Sequence, residues 1–169
     1  MGLVEKLQRQ HLKQLKPYAS ARRSMSGGKI WLNANESPHS NKYSVDDSKF
    51  NRYPDFQSKP LNQAYAQYAG VRESQVLSSR GSDEGIELLI RAFCEPAKDN
   101  VLICPPTYGM YAISAQTFSV GVEQVRLLEN WQLDTKAVIE AATCCKVLFL
   151  CSPSNPLGNK LNFDDVEQV

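Results

Sequence analysis

No apolar run in this 169-residue sequence approaches the roughly 20 residues of a bilayer-spanning helix, and its opening, MGLVEKLQRQ, lacks the apolar core of a signal peptide. Both absences lead to the expectation of a cytoplasmic protein with no membrane contact. Histidine occurs only twice, at His11 and His39, in polar sequence far from the cysteines. None of the five cysteines (Cys94, Cys104, Cys144, Cys145, Cys151) is spaced two to four residues from another, so a metal site is not expected. Their odd number and apolar surroundings suit reduced, buried thiols. A net charge of +1 with no clustered basic stripe leaves no electrostatic footprint for nucleic acid. What remains as a partner is a small molecule or another protein chain.

The 42% hydrophobic, 22% charged and 9% aromatic content is that of a soluble globular protein, long enough for one ordinary domain. Leu3, Val4, Leu7, Leu12 and Leu15 form a narrow stripe at helical spacing, marginal unless it packs on something. From Tyr18 to Asp55 the chain is mostly Ser, Asn, Gly, Pro and charge, broken by a strand-like Lys29–Leu32. Such a segment is long for an idle loop, so it is functional or ordered by a partner.

After Asp55 helices and strands alternate. Ser58 and Pro60 open a helix that Gly70 closes. Gln75 to Ser79 reads as a strand, followed by a glycine turn and a helix carrying Ile86, Leu89, Ile90 and Phe93 on one face. Asn100 to Cys104, Val122 to Leu127 and Lys146 to Cys151 read as strands, separated by helices from Tyr108 to Phe118 and from Asp134 to Ala142. Strands separated by helices imply a largely parallel sheet covered on its faces, an α/β core. Asn162, with Asp164 and Asp165 behind it, promises a helix that is barely two turns long at Val169, which suggests that the natural chain continues.

Three strand-to-loop junctions carry residues with chemistry. In Arg80-Gly81-Ser82-Asp83-Glu84, the first-turn amides of Ser82 and Asp83 make a site for a phosphate dianion, with Gly81 allowing close approach. The same residues also read as an ordinary capped helix with Ser82 as N-cap. The anion reading requires the Asp83 and Glu84 carboxylates to turn away. After the second strand, Tyr108 stands where a ring could stack on a flat ligand, or simply line the core's rim. After the last strand, a loop with Pro153 and Pro156 presents Asn155, either a donor to a ring oxygen or part of a plain turn. Together they offer a phosphate cradle, a stacking ring and a polar donor, which suits a phosphorylated aromatic cofactor.

These segments resemble the fold-type I, pyridoxal-phosphate (PLP) dependent aminotransferases, and among them the histidinol-phosphate type. The resemblance runs through Lys16 to Arg23, Trp31 to Pro38, Asn51 to Asp55, Arg80 to Ile86, Pro105 to Tyr111 and Ser152 to Pro156. It implies a fold in which residues 1–55 form an N-terminal arm and the start of a small domain, and 56–169 part of a PLP-binding large domain, a mostly parallel sheet with helices on both faces. It implies that Ser82 and Asp83 hold the PLP phosphate through their amides, that Tyr108 stacks on the pyridine, and that Asn155 bonds its phenolic oxygen. Tyr53 would reach the cofactor of the neighbouring subunit in a homodimer, and Tyr18, in an arm ordered by the dimer, would contact an imidazole-phosphate substrate. Two positions depart from the family pattern, Ser154 and Leu157, where Asn and Thr are usual.

The implied reaction is amino transfer between histidinol phosphate and 2-oxoglutarate in histidine biosynthesis. A sister activity on aromatic amino acids or phosphothreonine, or a non-catalytic remnant, are the alternatives. The resemblance puts the Schiff-base lysine beyond residue 169, so no catalytic residue is expected here; Lys49 and Lys59 follow serines as that lysine does, but precede the core. It also implies that strands from the absent part lie between those present, leaving open edges.

Overall fold

The computed structural model describes residues 2–18, 27–46 and 48–169. The segment quoted from Lys16 to Arg23 is thus described to Tyr18, and from Ala19 on lies outside the described residues. Packing gathers the chain up to Tyr18 with Arg80–Val169 into one compact unit and the residues that end at Ser79 into another. That grouping does not coincide with the change of composition at residue 55.

The N-terminal stripe yields only a short helix α1 (Leu3–Leu7) and a 3-10 turn (Gln10–Lys13). Leu3, Val4 and Leu7 stay exposed. Leu12 and Leu15 are half-buried, and polar contacts add to them: His11 Nε2 lies 3.1 Å from the Thr117 carbonyl and Nδ1 3.1 Å from Ser119 Oγ.

In the second unit, helix α2 (Lys59–Ala69) runs as expected from Ser58, with Pro60 in its first turn, to Gly70, whose φ of 69° ends it in the left-handed region. Two strand expectations fail here. Lys29–Leu32 forms no strand, and Ile30 and Leu32 remain exposed. Gln75–Ser79 does not pair as a strand: a 3-10 turn takes Glu73–Gln75, and the backbone of Ser78 is satisfied by a side chain. Ser78 donates its N–H to Gln57 Oε1 (2.8 Å) and accepts from Gln57 Nε2 (3.1 Å), while Asn62, buried in α2, bonds both Gln57 and the Ser78 hydroxyl. The Gln57 amide thereby substitutes for a strand neighbour.

The other unit holds the sheet. Helix α3 (Ser82–Phe93) precedes β1 (Asn100–Ile103); α4 (Met110–Thr117) leads to β2 (Gly121–Gln124), and α5 (Thr135–Ala142) to β3 (Val147–Phe149). The strands are parallel in the order β2-β1-β3. For these three strands the expectation of absent strands lying between them does not hold, since β1 is bonded directly to both neighbours. The strands are shorter than the apolar runs, yet Val125 and Leu127 continue the β2 pairing by donating to Ile103 and Pro105 carbonyls. A side chain at Gly121 would meet the Asn100 carboxamide, which would have to swing aside.

Alternate residues of β1 point to opposite faces. Val101 and Ile103 pack with Ile86, Ile90, Ala115 and Phe149 beneath α3 and α4; Leu102 and Cys104 pack with Leu133 and Val138 beneath α5. Helix α6 (Phe163–Gln168), capped by Asn162, closes on this second face through Val166. The result is an α/β core with helices on both faces of a parallel sheet. On α3 the buried face is narrower than the sequence stripe: Ile86 and Ile90 are enclosed, Leu89 and Phe93 exposed. The Cys144 thiol is exposed rather than buried, and all five cysteines are free. Among the described residues no helix is long and apolar enough to cross a membrane.

Leu102 is wholly enclosed, whereas Asp134 only caps α5, accepting from the Ala137 N–H at 3.1 Å. Leu102→Ala should therefore cost about 2–5 kcal/mol and Asp134→Ala about 1 kcal/mol. Urea unfolding followed by circular dichroism measures both, and equal losses would contradict the central placement of β1.

Candidate functional site

The loops after β1 and β3 leave the same end of two adjacent strands but turn to opposite faces, the first into α4 and the second toward α6. A crevice opens where neighbouring connections diverge in this way, at the carboxyl ends of the strands. Tyr108 stands in the first loop and Asn155 in the second. Helix α3, packed on the α4 face, brings its first turn to the same end.

Helix α3 begins at Ser82, with Gly81 as its N-cap at φ 85°, a left-handed conformation with open space on the side where a Cβ would sit. Ser82 is thus the first helical residue rather than the cap that an ordinary capped helix would use. The two carboxylates behind it are both engaged. Glu84 folds back onto Arg80, accepting its backbone N–H at 2.6 Å and its guanidinium at 2.7 Å, and these bonds hold the Glu84 carboxyl below the usual range. Asp83 accepts the Tyr108 hydroxyl at 2.8 Å. Both are turned onto protein partners, the condition that an anion on the first-turn amides requires.

The Asp83 bond also fixes the Tyr108 ring, joining α3 to the loop after β1. Burial, reinforced by that hydrogen bond, pushes the Tyr108 phenol well above its ordinary pKa. Tyr111 meets Tyr108 edge-on at 5.6 Å between ring centres and stacks on Phe149 of β3 at 4.7 Å, the planes 6° apart. Burial, then a hydrogen bond with Cys151, pushes the Tyr111 phenol up to about 12. The Cys151 sulfur in turn accepts the Asn155 backbone N–H at 3.3 Å. Contacts therefore run from Asp83 through Tyr108 and Tyr111 to Phe149 of β3, and a separate one ties Cys151 to Asn155.

Tyr18 joins from the arm, edge-on to Tyr108 at 6.1 Å and against the backbone of Gly109. The arm reaches this point on its own chain. Asn155 is exposed in a turn closed by Gly158 donating to the Ser154 carbonyl at 2.8 Å. Ser154, one of the two departures from the family pattern, is buried, and Leu157 is half-buried. Ser82, Asp83, Tyr108, Asn155 and Tyr18 thus belong to one unit. Tyr53 is fully exposed in the other.

Tyr111 and Cys151 are the members that the sequence reading left without a role. Their signal was available: Tyr111 lies one helical turn after Tyr108, and Cys151 ends the last apolar run.

A phenol whose pKa is raised by folding contributes stability that is complete below the unfolded value of 10 and lost as pH climbs through the folded one. The urea midpoint should therefore fall between pH 10 and about 12. Tyr111→Phe, which has no proton to lose, should flatten that fall; an unchanged slope would show that the buried phenol does not titrate with unfolding.

The family model "Aminotransferase class I and II" matches residues 28–169. Histidinol-phosphate aminotransferase 2 of Idiomarina loihiensis is 78% identical over 174 aligned positions, which cover 100% of this chain and 49% of that protein. The chain thus spans about half the length of the curated relatives it matches. The crystal structure of the histidinol-phosphate aminotransferase from Clostridium acetobutylicum superposes with a TM-score of 0.57 at 27% identity, over 63% of this chain and 30% of that one. Cystalysin from Treponema denticola, whose structure contains pyridoxal 5′-phosphate, shares the fold at a TM-score of 0.60 and 18% identity, over 66% of this chain and 31% of its own. On the residues matched, this chain belongs to the class I and II aminotransferase family and carries part of its α/β fold.

Proposed function

We propose that these residues form the cofactor-facing N-terminal part of a PLP-dependent histidinol-phosphate aminotransferase, which moves an amino group between histidinol phosphate and 2-oxoglutarate in histidine biosynthesis. The observation that carries this reading is the meeting of Tyr18 with Tyr108, itself bonded to the first turn of α3. It brings a phenol from the arm beside the ring assigned to stack on the cofactor. The 78% identity to a protein of that name supports the choice of substrate.

The residues present fit the cofactor. First-turn amides of Ser82 and Asp83 would hold its phosphate, with the carboxylates of Asp83 and Glu84 already drawn aside. Tyr108, its orientation set by Asp83, would lie against the pyridine, and Asn155 would donate to the ring oxygen. When bound, PLP supplies an electron sink for the bond-breaking at the amino acid's α carbon. The chain's own contribution is to bind and orient that ring and to bring Tyr18 toward the substrate phosphate. Tyr53, exposed on the other unit, is proposed to serve the neighbouring cofactor in a homodimer.

In a protein that spans the full length of the relatives, Tyr18→Phe should raise KM for histidinol phosphate about tenfold or more, the loss of a hydrogen bond to a charged group. KM for 2-oxoglutarate should stay within about twofold, because that substrate lacks the phosphate. Steady-state kinetics on both substrates decides the matter. Preference for an aromatic amino acid or phosphothreonine over histidinol phosphate would move the assignment to a sister activity.

A further inference from the structure

Four observations on the arm converge on His11. Its Nε2 lies 3.1 Å from the Thr117 carbonyl, which can only accept, so Nε2 carries a proton. Its Nδ1 then accepts from the Ser119 hydroxyl at 3.1 Å. The same Ser119 oxygen receives Arg9 Nη2 at 3.5 Å, so each donor in the chain finds an acceptor. Ser119 itself sits at φ 61°, just past the end of α4, where Val120 donates back to Ala115. Glycine adopts that conformation more readily than any other residue. A serine there, spending its hydroxyl on the arm, is a side chain used for contact rather than for backbone shape.

His11 thus pins the arm at the C-terminal end of α4. Tyr18 touches Tyr108 and Gly109 at the helix's N-terminal end. Helix α4 is about 12 Å long at about 1.5 Å per residue, so the chain between these anchors runs back along it as a strap. Gln14 and Leu15 face Gln116 and Val120 in the same shallow groove. At the strap's far end the apolar side chains of α1 are exposed, and His11 is joined there by Arg9 on Ser119 and by the half-buried Leu12.

We propose that His11, through Thr117 and Ser119, is a positioning residue that holds the arm along α4 and so sets Tyr18 over Tyr108 for the phosphorylated substrate. The substrate part rests on the function proposed above; the strap does not. His11 touches no reacting atom, and its effect is transmitted by the six residues, Leu12 to Pro17, that separate it from Tyr18.

The strap is read by tryptic cleavage after Lys13 in the intact 169-residue chain. Cleavage should quicken about tenfold in His11→Phe, which fills the space without either hydrogen bond. It should return to within about threefold of the parent in His11→Gln, whose amide regains the donor to Thr117. Ser119→Gly separates strap from fold: it suits the backbone, so the urea midpoint holds or rises while cleavage quickens. Unchanged cleavage in His11→Phe and Ser119→Gly would overturn the strap. In a protein that spans the full length of the relatives, His11→Phe should raise KM for histidinol phosphate about fivefold with kcat within about twofold, and His11→Gln should restore it. If Tyr18→Phe raises that KM and His11→Phe does not, the positioning role is overturned. If Tyr18→Phe leaves it unmoved as well, the substrate reading of Tyr18 fails, and cleavage alone judges the strap.

Discussion

The double burial of β1 is the constraint from which the rest follows. Its three central side chains are enclosed on alternate faces, and its backbone is bonded to β2 on one side and β3 on the other. A strand satisfied in this way cannot slip by one residue without turning Val101 and Ile103 into the wrong layer. The position where β1 ends is therefore fixed, and with it the loop that carries Tyr108. Because β3 pairs in parallel alongside, the loop bearing Asn155 must emerge at the same end. The crevice is thus a product of strand pairing, prior to any side chain that lines it.

The phosphorylated ring proposed for the crevice would depend on the treatment of charge at the start of α3. Two carboxylates in the first turn favour a bare helix dipole but repel a phosphate. Here Glu84 is spent on Arg80 and Asp83 on Tyr108. One set of bonds therefore does two things: it removes acceptors from the path of an anion, and it orients the aromatic ring assigned to the same ligand. The aromatic contacts then spread that order across the sheet, since Tyr111 meets Tyr108 edge-on and stacks on Phe149.

Much of this was legible in the sequence because it rests on local rules. The three sheet strands, the capping of α5 and α6 by Asp134 and Asn162, and the end of α2 at Gly70 all follow from periodicity and short-range signals. The failures share one cause, which is that long-range partners decided the outcome. Gln75–Ser79 has strand-like composition, yet its backbone is met by Gln57, about twenty residues earlier. Lys29–Leu32 is too short an apolar run to form a strand without a neighbour. Leu89 and Phe93 fit the stripe of α3 but lie beyond the arc that the sheet covers. At the site, the residue types were readable and their couplings were not: no spacing rule links Asp83 to Tyr108 or Tyr111 to Phe149, because those contacts join separate elements.

The aromatic path also explains why an arm with so little apolar burial still has a defined end. Phe149, Tyr111 and Tyr108 belong to the core unit's strand, helix and loop; the Tyr108 hydroxyl is tied to Asp83 and the Tyr111 ring is stacked on Phe149. Only the outermost ring, Tyr18, comes from a segment held by a few hydrogen bonds. An edge-on aromatic pair contributes about 0.5–1.5 kcal/mol beyond its burial, too little to order a segment of the arm's length against its conformational entropy. The contact can therefore be kept only if the arm is fixed elsewhere, and the polar anchor at the other end of α4 is where the described residues provide it. In the proposed function, rigid groups for the cofactor and a separately tethered phenol would thus be two layers of one design: the first built into the sheet, the second set by how firmly the arm is held at His11.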